Sequence, residues 1–89
     1  MDSNTTFPQF RRLSNCKNYY KVHSNSEMTE VGTMGGKYWI NEVKATILPE
    51  RVMIADILDA VEDMYEIIEA EAFDSFVSMC AAEKERIYV

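Results

Sequence analysis

Apolar residues change their spacing once along this 89-residue chain, close to Pro49. Before it they fall in short runs and alternations; after it they recur every three to four positions. The later pattern is the stronger. Ile54, Ile57, Leu58, Val61, Met64, Tyr65 and Ile68 follow the i, i+3, i+4, i+7 rhythm of a helix with one buried face, with Asp56, Asp59, Asp63 and Glu66 opposite. Ile57, Leu58 and Val61 are therefore expected in the core. Pro49 suits the first turn, where its missing N–H is not needed, and Glu50 suits the positive end of the helix dipole.

The helix is predicted to reach at least Val61. Two continuations compete beyond it: the stripe carried on to Ile68, or a short strand at Tyr65–Ile68 after a tight connection at Glu62-Asp63. A last helix is predicted from about Ala70 to Arg86. Phe73, Phe76, Val77 and Cys80 form its stripe, and Lys84 and Arg86 lie in its final turn. The apolar tail Ile87-Tyr88-Val89 either packs back on the sheet or docks on a partner or a second copy.

The first half reads as strands. Residues 1–8 are polar up to Phe7-Pro8 and are expected to fray. Phe10–Leu13 is a short edge strand or an extended arm. A turn at Ser14–Asn18 leads to a β-rich run, Tyr19–His23, and a turn at Ser24–Ser26 leads to an alternating one, Glu27–Thr33. Gly35-Gly36 then offers a two-residue hairpin turn. Lys37–Ile47 is the longest strand candidate, but Tyr38 and Ile40 share one face while Val43, Ala45 and Ile47 share the other. A bulge near Asn41-Glu42 would reset that register. The fold class expected is a single α+β domain over residues 1–89, with an antiparallel sheet of three to four strands from the first half packed on two helices from the second.

Charge sharpens this picture. The net charge is −6, and between Val52 and Glu83 there is no Lys or Arg among nine acids. Residues 1–45 carry six bases and four acids; residues 46–89 carry three bases and eleven acids. An acidic surface of this kind repels nucleic acid and anionic membrane and attracts a basic protein groove. Asp56, Asp59, Asp63 and Glu66 are the candidate partner-binding residues. No apolar run approaches the length of a membrane span, and no basic-then-apolar opening marks a secretory signal. A cytoplasmic protein with two reduced cysteines, Cys16 and Cys80, is therefore expected.

Candidate chemistry is sparse. Gly32–Lys37 fails as a phosphate-binding loop, since Val31 stands where the first glycine belongs and Tyr38 where Ser or Thr belongs. Asp56, Asp59, Glu62 and Asp63 lack the glycine-bearing loop that shapes a cation cage, so no metal and no cofactor is expected. The only histidine, His23, lies seven residues from Cys16 in sequence, which by itself makes no nucleophile–base pair. Tyr19, Tyr20, Tyr38 and Trp39, interleaved with Arg11, Arg12, Lys17, Lys21 and Lys37, form an alternative binding surface of the type used for single-stranded nucleic acid.

Around Asp56-Ile57-Leu58-Asp59-Ala60-Val61-Glu62-Asp63, the chain resembles small phage-encoded anti-defence proteins of the anti-CRISPR kind. The likeness lies in size, acidity and the order of sheet then helices. It implies a non-enzymatic inhibitor that occupies a basic nucleic-acid-binding site of a host nuclease or its nucleic-acid complex, in the host cytoplasm. The other reading is a small regulatory or structural protein that forms a homodimer.

Overall fold

The computed structural model describes residues 7–60 and 64–88. Its elements run β1 (Gln9–Leu13), β2 (Asn18–Ser24), β3 (Glu27–Met34), β4 (Lys37–Lys44), α1 (Leu48–Leu58), β5 (Tyr65–Ile67), α2 (Ala70–Glu83) and β6 (Glu85–Arg86). The strands form one six-stranded sheet in the order β5-β1-β2-β3-β4-β6. β1 to β4 make an antiparallel meander, β5 adds antiparallel to β1, and β6 adds parallel to β4. The class is α+β, but the sheet is larger than expected and mixed rather than purely antiparallel. Its two extra strands come from the second half, and at three and two residues they are too short to carry a readable period.

The chain wraps its own meander. From β4, α1 crosses one face to reach the opposite edge at β5, and α2 returns across the other face to deliver β6 beside β4. Tyr19 and Tyr20 are neighbours on β2 and so point to opposite faces. Tyr19 joins Val31, Tyr38, Phe73, Phe76 and Cys80 under α2. Tyr20 joins Val22, Met28, Ala45, Ile54 and Ile57 under α1. The helices thus cover opposite faces of one sheet, giving three layers.

This explains the imperfect alternation in β4. Tyr38 and Ile40 pack towards α2 while Val43 packs towards α1, so both faces of the strand are apolar and no register reset is needed. β4 pairs with β3 without interruption from Lys37 to Lys44, and it ends there, short of Ile47. The one irregularity in the meander lies between Val22 and Ser24 of β2, not at Asn41-Glu42. Met34 and Lys37 close the Gly35-Gly36 hairpin, and Gly35 takes φ +61°, which a side chain would resist.

Four further expectations are corrected. β1 is not an edge strand, because β5 covers it. The first helix ends at Leu58, so Tyr65–Ile67 is the strand of the two readings. Ile54 and Ile57 are buried and Leu58 half-buried, while Met64, expected in the same stripe, is exposed; Val61 lies outside the described residues. The last helix ends at Glu83; Lys84 is its C-cap and Arg86 belongs to β6. Ile87 donates its N–H to the carbonyl of Tyr38 (2.8 Å), so the tail does pack on the sheet that far, while Tyr88 is exposed. Residues 1–6 of the expected frayed terminus lie outside the described residues, and Phe7 packs against the α1-side core.

Candidate functional site on the outer side of α1

α1 is held at both ends. Glu50 in its first turn accepts the Thr46 N–H (3.1 Å), which satisfies a donor just ahead of the helix. At the other end Arg11, 5% exposed, extends from β1 to the last carbonyls. Its Nε donates to Ile57 O (3.2 Å) and its Nη2 to Leu58 O (2.8 Å). The same guanidinium donates to Phe10 O (2.9 Å) and Gln9 Oε1 (2.6 Å). Among the described residues no carboxylate contributes to this set of acceptors. The negative end of the α1 dipole and its orphan carbonyls balance the buried charge instead. Burial pulls the Arg11 pKa down from its ordinary value, but guanidinium stays charged from so high a start.

Fixed in this way, α1 buries Ile54 and Ile57 and leaves a second apolar side outward. Leu48 is 72% exposed, Val52 49% and Met64 52%, with Met53 close behind. Pro49, Val52, Met53, Asp56, Met64 and Tyr65 line a shallow groove of about 250 Å³. Asp56 on α1 and Asp59 at its C-cap are exposed. In the groove wall the Tyr65 phenol is pushed above its usual pKa first by burial, then by the nearby charges of Asp56 and Glu30. A shallow apolar groove beside carboxylates that form no ion pair with another described residue suits an apolar side chain flanked by Lys or Arg.

The acidic positions expected to share one helix face are divided. Asp56 stands on α1, Asp59 is its C-cap, Asp63 lies outside the described residues, and Glu66 sits on β5. Glu66 pairs with Arg12 across the β1–β5 ladder, accepting from its Nε at 2.8 Å, on the α2 side of the sheet. A charge that looked unopposed along the chain is thus neutralised by a base 54 residues away. The proposed aromatic surface does not exist as such. Tyr19, Tyr20 and Tyr38 are buried: Tyr19 stacks on Phe76 (3.7 Å between centroids) and Tyr20 meets Tyr65 edge-on (5.7 Å). Trp39 is half-buried, its indole laid against Gly32.

Among the described residues no three His, Cys, Asp or Glu converge as metal ligands, and Glu62 and Asp63 lie outside them. Cys16 is exposed in the β1–β2 turn, at φ +61°, and His23 lies towards the other end of β2. From Asn18 to His23 alone the strand spans about 17 Å, so the two cannot form a catalytic pair. His23 Nε2 instead contacts Thr29 Oγ1 (2.7 Å), whose hydroxyl donates to Glu42 Oε1 (2.6 Å), a ladder across β2, β3 and β4. It borders a second cleft, of about 380 Å³, beside Lys21, Phe73 and Val77. Cys80 is buried among apolar side chains, and burial raises its thiol pKa, which makes it inert.

Residue-by-residue reading missed Arg11 and the outward apolar side of α1. The second left a trace: Leu48, Val52 and Met53 lie off the Ile54–Ile57–Leu58 stripe, which is more apolar surface than one core face needs. Arg11 left none, since its partners are backbone carbonyls. Among the described residues no helix is long and apolar enough to cross a membrane. Comparison with known proteins finds no family model, no curated protein and no solved structure that matches this chain.

Proposed function

We propose that this protein is a small non-enzymatic binding module that docks a basic partner protein on the outer side of α1. The observation that supports it is the groove lined by Pro49, Val52, Met53, Asp56, Met64 and Tyr65, mostly apolar with one carboxylate in its wall. An apolar anchor supplies affinity when it leaves water, and the carboxylates of Asp56 and Asp59 steer a cationic surface towards it. The resemblance in size and acidity to anti-defence proteins extends the proposal. The partner is then a nucleic-acid-binding protein of the host cytoplasm, such as a CRISPR–Cas nuclease, and the bound module denies the basic site to its nucleic acid.

The test is affinity capture with the tagged protein, repeated with Asp56→Lys/Asp59→Lys and with Val52→Asp, circular dichroism serving as the folding control. The double reversal should slow association and flatten its salt dependence; Val52→Asp should shorten the residence time. Capture of the same partner by both variants at wild-type rates, in low and high salt, would exclude this surface. For the inhibitor reading, cleavage of target DNA by the captured nuclease is measured with and without the module; undiminished cleavage at saturation rejects it.

A further inference from the structure

β4 leaves most of one edge unpaired. Gly35-Gly36 sets the phase of the strand: Lys37 pairs with Met34, so the N–H and C=O groups of odd-numbered residues point to β3 and those of even-numbered residues point away. Ala45 obeys the same rule just past the strand, donating to Ser26 O at 2.7 Å. On the outer side, β6 covers only Lys37 and Tyr38; Gly36 O accepts from Glu85 and Tyr38 O from Ile87. Beyond them the N–H and C=O groups of Ile40, Glu42 and Lys44 face outward with no strand beside them among the described residues. A row of free backbone groups of this kind is a template for another strand. The opposite edge, β5, is three residues long and offers far less.

We propose that β4 pairs antiparallel with β4 of a second copy of this chain, so that the two sheets join into one across a two-fold axis at Val43. Charge selects the occupant and the register. With the axis at Glu42, two carboxylates oppose each other; with it at Lys44, two ammonium groups do. With the axis at Val43, Glu42 of each copy lies opposite Lys44 of the other. Both are exposed, and neither forms an ion pair with another described residue of its own chain. Both also lie at outward-facing positions, so each Glu42–Lys44 pair exchanges its N–H and C=O groups. Val43 meets its own copy in the non-hydrogen-bonded position, where side chains approach most closely. The Thr46 N–H is already taken by Glu50, which bounds the paired segment at Ala45. Lys44 blunts the edge against strands at large, and Glu42 makes an exception of this one.

A charge exchange tests this. The wild-type mass is followed by light scattering over a concentration series, together with Glu42→Lys, Lys44→Glu and the double variant carrying both. Dimer formation is expected in the wild type. It should be roughly tenfold or more weaker in each single variant, where two like-charged pairs face each other, and restored in the double variant. An equimolar mixture of the two single variants should dimerise although neither does so alone. One chain then carries lysine at both positions and the other glutamate at both, so every facing pair has opposite charges. Circular dichroism checks that each single variant keeps its fold. Should either not, oxidation of Val43→Cys in a Cys16→Ser background replaces it. A disulfide-linked dimer then supports the axis and exclusively monomeric product rejects it. A wild-type protein that stays monomeric throughout, a dimer indifferent to single reversal, or a mixture that fails to associate overturns the proposal.

Discussion

Replacing Arg11 with Met isolates the contact that holds α1 on the sheet. Met keeps an apolar stem of similar length, so the volume beside Ile57 stays filled, while the guanidinium and its hydrogen bonds to Ile57 O and Leu58 O are lost. Ile57 O keeps the Ala60 N–H (3.1 Å); Leu58 O is left without its donor in a part-buried position. A hydrogen bond from a charged donor contributes about 1.5–3 kcal/mol, and a cation at a partly buried helix C-terminus up to about 2 kcal/mol. Relief of the desolvation of Arg11 offsets part of this. On those contributions the net loss is about 2–4 kcal/mol. A domain of this length has roughly 4–13 kcal/mol in all. At about 4–8 °C per kcal/mol, the midpoint of thermal unfolding should fall by about 8–32 °C. Arg11→Lys should fall in between, because one ammonium cannot span both carbonyls as the planar fork does. Thermal denaturation gives the magnitude and amide exchange the location: protection should drop first in Leu48–Leu58. An Arg11→Met protein melting within about 2 °C of wild type would refute the reasoning, since that is less than the shift expected from one lost charged hydrogen bond. So would one that lost stability with α1 protection unchanged.

Other outcomes follow from single residues. Ala60 sits just past the end of α1 at φ +50°, where glycine is the usual residue, so Ala60→Gly should stabilise the protein by up to about 1 kcal/mol despite the added freedom of the unfolded chain, as urea unfolding would register. Gly32→Ala places a methyl group where the Trp39 indole lies, so the ring must move outward, and the emission of this single tryptophan should shift to longer wavelength. Burial, with Glu30 adding to it, raises the Tyr20 phenol well above its ordinary value of 10.0; burial, Asp56 and Glu30 raise Tyr65. Neutral phenol is thereby favoured in the folded state. The stability this confers is complete below about pH 10 and is lost as pH rises above it, so melting temperature should decline there, and more gently in Tyr20→Phe.

Local elements were legible in the sequence alone. The Gly35-Gly36 turn, the β-rich runs before it and the Pro49 start of α1 rest on backbone preferences that act within a few residues, and the structure contains each of them. The Phe73–Phe76–Cys80 stripe was likewise legible, because α2 has one buried face and solvent on the other. How faces are shared was settled only by the assembled fold. Period-based reading assumes one wet side per strand, and this sheet has a helix on each, so β4 looked irregular when it was merely apolar on both faces. β5 and β6 are strands because β1 and β4 offered open edges, not because three and two residues prefer extended backbone. Glu66 looks unopposed along the chain because its partner is remote in sequence. Arg12 reaches Glu66, and Arg11 reaches the end of α1, across separations of 54 and 46 residues that no local pattern can span.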